Sequence, residues 1–226
     1  KIKEYIPSIK ATYQLRKVPL VSLNKKTDNI LPVIVTLTSI PSRLKTLDVT
    51  IRSILTGTAK PEKIILWLHS DLKGSIPKRL TDLINTTFET KYQEGLTSSH
   101  RKLIYSLKAF PKSTLVTCDD DLIYPSNWLE SLNEEHIKHP KSIIANECRI
   151  ISYDTNGNLL PYKMWSGVEK GIADKNLLPI GYGGVLYPAN TLHGDTTNQK
   201  LFLKLTPKAD DLWFKMMSLL NNTEVR

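Results

Sequence analysis

The sequence predicts an α/β fold with parallel strands and intervening helices. Three observations carry this expectation. The runs Val33-Ile34-Val35-Thr36-Leu37-Thr38 and Lys63-Ile64-Ile65-Leu66-Trp67-Leu68 are apolar on both faces, as buried strands are. Between them Leu44, Leu47, Ile51, Ile54 and Leu55 recur at helical spacing after Arg43, and Gly57 stops the helix. The result is a βαβ unit, whose parallel strands place loops and ligands at their carboxyl ends. Third, the run Ser113-Thr114-Leu115-Val116-Thr117-Cys118 ends directly in Asp119, Asp120 and Asp121, as a buried strand does when it delivers carboxylates to a sheet edge.

The remaining elements follow in chain order. A short helix is expected from about Pro77 to Phe88 on Leu80, Leu83 and Ile84, then a weak strand near Lys91. A helix from about Ser98 to Phe110 buries Leu103, Ile104, Leu107 and Phe110, and another runs from Pro125 to about Lys138, with Pro125 suited to a first turn. Ser142–Ala145 and Arg149–Tyr153 read as strands, Asp154-Thr155-Asn156-Gly157 as a turn, and 160–178 shows little periodicity. Gly181-Tyr182-Gly183-Gly184 leads into Val185-Leu186-Tyr187. A last helix is expected with Thr206 as N-cap, Pro207 at N1, and Ala209, Leu212, Trp213, Met216 and Leu220 as its inner stripe. The final Glu224-Val225-Arg226 resembles the start of a further strand, so another C-terminal element is expected.

With 226 residues, 40% hydrophobic and 23% charged, the chain is sized for one domain with a sizeable core, and wholesale disorder is excluded. The expected division is a basic arm over 1–30 and a single domain over 31–226, its nucleotide half ending near 125. The net charge of +9 is lopsided: Lys1, Lys3, Lys10, Arg16, Lys17, Lys25 and Lys26 against Glu4 put +6 of it in residues 1–26. That arm has no sustained helical period; it reads either as a solvated extension or as a peripheral contact with an anionic membrane. Cys118 and Cys148 read as reduced, buried thiols, with no zinc-type CxxC pair. No run approaches the about 20 apolar residues of a membrane span. The expected location is cytoplasmic, with the inner face of the cell membrane as the peripheral alternative.

Three adjacent anions repel one another unless water, a metal or a cationic partner neutralises them. In an extended segment Asp119 and Asp121 share one face and Asp120 looks the other way. Oxygen-only ligation favours Mg²⁺ or Mn²⁺, typically between one or two carboxylates and a substrate diphosphate.

The stretches Val33–Ser39 with Arg43, Lys63–Leu68, Asp119–Pro125, Gly183–Pro188 and Ala209–Trp213 together resemble bacterial nucleotide-sugar glycosyltransferases of the GT-A fold, the kind that assemble capsule and lipopolysaccharide. The resemblance implies a Rossmann-like, mixed, mostly parallel central sheet flanked by helices, with a DxD motif at a strand end. It also implies an activity, transfer from a nucleotide-diphosphate sugar, a UDP-sugar above all, to an oligosaccharide or lipid-linked glycan, by inverting displacement. On this resemblance Asp121 is the principal metal ligand, Asp119 meets the ribose or a metal-bound water, Asp120 supports them, and His193 is a candidate third ligand. Thr38, Ser39 and Arg43 are candidates for the nucleotide, Asp71 for the base and Lys102 for nucleotide or diphosphate. Asp211 is the nominated general base and Asp210 the binder of acceptor hydroxyls, with Gly181–Gly184 flooring the site and Trp165 or Tyr182 stacking on a sugar.

Two rival readings stand beside this one. The basic arm allows a non-catalytic binder of nucleic acid or an anionic surface, although no nucleic-acid motif accompanies it. The aspartates also allow a metal-dependent phosphoesterase with water as acceptor.

Overall fold

A computed structural model of the chain describes residues 2–24, 29–95 and 97–226. Of the basic arm, Lys1, Lys25, Lys26 and the side chains of Lys3 and Glu4 lie outside the described residues. The elements in order are α1 (Ile2–Lys17), α2 (Leu20–Leu23), β1 (Ile30–Thr38), α3 (Leu47–Leu55), β2 (Lys60–His69), α4 (Lys78–Thr81), β3 (Phe88–Gln93), α5 (Arg101–Ala109), β4 (Thr114–Thr117), α6 (Trp128–Lys138), β5 (Ile144–Ala145), β6 (Cys148–Ile150), β7 (Leu177–Pro179), β8 (Val185–Tyr187), α7 (Gln199–Leu205) and α8 (Asp210–Leu220).

The main sheet has six strands in the order β3-β2-β1-β4-β8-β5. The first four strands in that order are mutually parallel, and β8 runs antiparallel to both β4 and β5, so the sheet is mixed and mostly parallel as expected. Period-two alternation along β1 divides the core. Val33, Val35 and Leu37 pack with Leu47, Ile51 and Ile54 of α3 and Leu129 and Leu132 of α6. Ile34, on the other face, packs with Leu103 and Ile104 of α5 and Trp213, Phe214 and Met217 of α8. Each such fully buried side chain contributes about 1.5–3 kcal/mol. Together they fix α5 and α8 on the same side of the sheet, which places both helix starts beside the end of β4.

Three local expectations are corrected. Within the arm, Ile2–Lys17 and Leu20–Leu23 are helical, and polar docking contacts that no sequence period announces hold α1 to the domain. Arg16 grips the buried Asp48 of α3 through Nε at 2.9 Å and Nη2 at 2.7 Å, and Arg52 donates to the Leu15 and Val18 carbonyls at the end of α1. The helix expected over 77–88 stops after α4, and turns follow. Thr206 does not cap the last helix; it closes α7, which the sequence reading missed, and α8 starts at Asp210 after Ala209. The Thr206–Pro207 pair marks the break between two helices, because Pro207 cannot extend α7.

At the C-terminal edge, Val225 bridges Ile143 and Asp174, and Ala145 donates to the Arg226 carbonyl at 2.8 Å, so residues 224–226 pair along β5. Both cysteines are free thiols. Among the described residues no helix is long and apolar enough to cross a membrane.

Candidate functional site

The strand order turns at β1: β2 and β3 lie to one side, and β4, reached by a crossover, to the other. Parallel sheets open a crevice at such a reversal, outside the carboxyl ends of the strands. The register pairs Thr36 with Thr117, so the residues beyond β4 run beside Thr38 and Ser39. The aspartates therefore enter this crevice, alongside the end of β1.

The row does not stay extended. It bends at Asp120 and Asp121, and each member finds its own partners. Asp120 is buried, with Oδ2 accepting from Ser39 Oγ at 2.5 Å and Oδ1 from Arg43 Nη1 at 2.8 Å. Thr50 Oγ1 donates to its carbonyl. Asp121 is half-exposed and meets Arg43 Nη2 at 3.1 Å, so one guanidinium serves two neighbouring carboxylates. Asp119 turns instead to Lys102, whose Nζ lies 2.9 Å from Oδ1. Asp120 does look away from Asp119, but the expected alternation ends there, because Asp121 shares a cation with Asp120.

Lys102 sits in the first turn of α5 and is buried. Besides Asp119 its ammonium meets Asp210 Oδ2 at 3.0 Å and Asp211 Oδ1 at 4.0 Å, both in the first turn of α8. Burial alone would lower its pKa; the carboxylates of Asp210, Asp119 and Asp211 overcome that and hold it well above the usual lysine range. Asp210 also accepts from Ser99 Oγ at 2.8 Å. Burial works against its charge, but Lys102 and Ser99 keep its carboxyl below the ordinary value. Asp211 behaves in the opposite way. Burial pushes its pKa up to about 6; Lys102 and the Gly181 N–H, which donates to Oδ2 at 3.0 Å, pull it down, while Asp210 adds to the rise. Two adjacent acids with pKa values driven apart are an arrangement that fits proton transfer.

Gly181 is required by this packing. A Cβ there would stand 2.7 Å from Asp211 Oδ1 and 2.7 Å from Lys102 Nζ. Gly184 adopts φ +93°, and a Cβ would meet the Trp128 indole nitrogen at 2.5 Å. Gly181 is thus a close backbone approach to Asp211, whereas Gly183 and Gly184 approach Glu147 and Trp128.

The other sequence candidates divide. Ser39, Arg43, Lys102, Asp119, Asp120, Asp121, Asp210 and Asp211 are brought to one cluster by these contacts. Thr38 lies at the same strand end but donates to the Trp67 carbonyl at 2.8 Å. Asp71 follows β2, exposed, with His69 Nδ1 at 3.1 Å. His193 is not brought to the aspartates. Because β8 runs back along β4, residues after Tyr187 lie at the opposite end of β4, and His193 there lines a cavity of about 150 Å³ with Leu107 and Pro111. Trp165 is buried and donates to the Leu160 carbonyl, whereas the Tyr182 side chain is 48% exposed. The sequence reading missed Ser99 and Tyr124. Tyr124 Oη accepts from the Asp119 N–H at 2.9 Å and donates to the Tyr182 carbonyl at 3.0 Å, tying the aspartate row to the glycine segment. Its place five residues after Asp119, ahead of Pro125, was the available signal.

Whether the site fits a divalent ion is decided by its charge and donors. Among the described residues no group of three or more His, Cys, Asp or Glu is placed to hold a metal alone. Asp120 has both oxygens engaged. Asp119 and Asp121 keep 34% and 46% side-chain exposure and offer oxygen donors. Five carboxylates, Asp119, Asp120, Asp121, Asp210 and Asp211, face the two cations Lys102 and Arg43, which leaves the cluster negative. Asp119 and Asp121 thus offer oxygen donors of the kind that Mg²⁺ or Mn²⁺ takes.

No protein-family model matches the sequence, and no curated protein matches it. Among solved structures the chain is similar to the 4-diphosphocytidyl-2C-methyl-D-erythritol synthase of Anaerococcus prevotii, with TM-score 0.50 and 15% identity over 86% of this chain and 84% of that one. The two share a fold. A UDP-glucose pyrophosphorylase from Acinetobacter baumanii is a looser match, with TM-score 0.47 and 12% identity over 87% of this chain and 85% of that one.

Proposed function

We propose that the chain is a glycosyltransferase that moves a sugar from a nucleotide-diphosphate donor, a UDP-sugar, to a hydroxyl of a glycan acceptor in surface polysaccharide synthesis. The observation that carries the reading is the Asp210–Asp211 pair under Lys102. Asp210 is held ionised and engaged. Asp211, with its pKa raised to about 6, is ionised at neutral pH yet basic enough to take a proton.

In the proposed step the acceptor oxygen attacks the anomeric carbon while its proton passes to the Asp211 carboxylate. The bond from the anomeric carbon to the diphosphate oxygen breaks, and the nucleoside diphosphate leaves with the electron pair; a direct displacement inverts the anomeric centre. Asp119 and Asp121 are the residues that would hold Mg²⁺ or Mn²⁺, which supplies charge stabilisation for the leaving diphosphate. Lys102 holds Asp119 and both acids of α8 in fixed relation, and Arg43 orients Asp120 and Asp121 from the β1 side.

A second reading is nucleotidyl transfer, the activity type of the erythritol synthase whose fold is shared. Its attacking group is a phosphate oxygen, already largely ionised at neutral pH, so it needs no general base. The elevated Asp211 favours a hydroxyl nucleophile. Phosphorus NMR separates the two readings. Release of UDP from UDP-sugars in the presence of Mn²⁺ and acceptor glycan is expected. Release of pyrophosphate from a nucleoside triphosphate and a sugar phosphate, with UDP-sugars left intact, would overturn the glycosyl reading.

A further inference from the structure

The proposed chemistry leaves the basic arm unused, and the fold gives part of that arm a fixed outer face. Residues 7–24 contain Lys10, Arg16 and Lys17 and no acid. The inner side of the segment is anchored. Arg16 pairs with Asp48, Arg52 holds the carbonyls of Leu15 and Val18, and Leu23 of α2 is buried, its carbonyl accepting from Lys60 Nζ at 2.8 Å. The outer side is open. Ile9 and Tyr13 stand one turn apart on α1, 52% and 60% exposed. Lys17 follows a turn later, with Nζ 4.3 Å from the centre of the Tyr13 ring. Leu20 and Val21 come next, in α2, and Val21 is 83% exposed. Lys10 flanks Ile9, and Lys45, whose carbonyl accepts from Arg16 Nη2 at 3.4 Å, is exposed as well.

Apolar side chains interleaved with lysines and free of acids match an anionic lipid surface better than the other large partners. Headgroups attract lysines within about a Debye length, and the layer beneath them takes the apolar side chains, with tyrosine at the boundary. A protein interface is depleted of lysine. Nucleic-acid phosphates would engage the lysines but give Ile9, Leu20 and Val21 nothing to bury against. Because Arg16 and Arg52 hold α1 in place beforehand, this face does not have to be ordered on binding.

We propose that the outer face of α1 and α2, built from Ile9, Lys10, Tyr13, Lys17, Leu20 and Val21, is a docking surface for an anionic membrane. α1 also walls a cavity of about 310 Å³ with Ile123 and Tyr124, so the surface adjoins the loop that follows the aspartate row. Vesicle binding requires neither donor nor acceptor, so its outcome is independent of the glycosyl-transfer reading.

Co-sedimentation of the intact chain with lipid vesicles tests the surface. Binding is expected to phosphatidylcholine vesicles containing about one-third phosphatidylglycerol. It should weaken at least about tenfold on phosphatidylcholine alone, or when salt is raised from about 0.1 to 0.5 M. Lys10→Glu combined with Lys17→Glu should lower it at least about 20-fold, and Val21→Ser about tenfold. Lys200→Glu with Lys204→Glu makes the same change of charge on α7, whose Phe202 packs on the other side of the sheet from Leu23, and should leave binding within about threefold. All these side chains are exposed, so thermal midpoints should stay at the parent value. No sedimentation with anionic vesicles overturns the proposal, as does sedimentation that both α1–α2 variants retain in full or that the α7 variant loses equally. Binding of a DNA duplex with vesicles left unbound would assign the face to nucleic acid instead. A dimer that Val21→Ser disperses, again with vesicles unbound, would assign it to a second copy of the chain.

Discussion

Lys102 and Asp119 form a 2.9 Å ion pair that joins the first turn of α5 to the end of β4. The same ammonium reaches Asp210 at 3.0 Å, so one buried cation ties the aspartate row to the acidic pair of α8. The electrostatic problem posed by adjacent carboxylates is therefore met partly from within the fold, by Lys102 and Arg43.

Lys102→Met should be strongly destabilising. Removing one member of a buried ion pair costs about 3–5 kcal/mol, because the remaining charges stay behind. Partial exposure of Asp119 and Asp211 puts the expected loss near the lower end, a fall in Tm of roughly 6–12 °C for a chain of this size. Thermal or urea denaturation at pH 7.5 checks this.

The pH dependence of transfer has a defined sign. Asp211 must be ionised to accept a proton, so kcat/KM should rise with pH through a midpoint near the value of about 6 to which burial lifts it. Stability runs the opposite way. A carboxyl with a raised folded pKa favours the folded state while protonated, and that contribution is lost as pH rises through about 6. Asp211→Asn should thus be at least as stable as the parent at pH 8, as chemical denaturation at pH 5 and pH 8 will show.

Arg43→Ala leaves the buried Asp120 with Ser39 as its remaining side-chain donor. The half-exposed arginine limits the cost to about 1–2 kcal/mol. Arg43→Lys should recover only part of it, since a single ammonium does not reproduce the fork that reaches Asp120 and Asp121 separately. Urea unfolding of the three proteins measures both effects.

Arg16→Ala strips the buried Asp48 of a two-nitrogen partner and should cost about 3 kcal/mol, with α1 loosened from α3. Adding Asp48→Asn should restore part of the loss. A double-mutant cycle followed by hydrogen exchange of α1 amides tests the coupling.

The strands were legible because β1, β2 and β4 are buried on both faces and read as continuous apolar runs. The site clusters were legible in part, since acids at a strand end and a helix start announce themselves by position. What the sequence hid was pairing. Lys102 looks like any amphipathic-helix lysine until α8 folds over it, and Arg16 looks like solvent charge until Asp48 is seen to be buried. The helix α1 escaped detection for the same reason, because its stability comes from tertiary contacts rather than a local period. His193 was nominated on the family resemblance, and the antiparallel run of β8 shows that it lies at the other end of the sheet.

Asp211 is the proposed base of the transfer step. Asp211→Asn, which keeps an acceptor for the Gly181 N–H, should lower the transfer rate from a UDP-sugar by about 10²–10⁴-fold and leave UDP binding with Mn²⁺ within about twofold of the parent by calorimetry. Parent-like turnover in this variant would contradict the assignment.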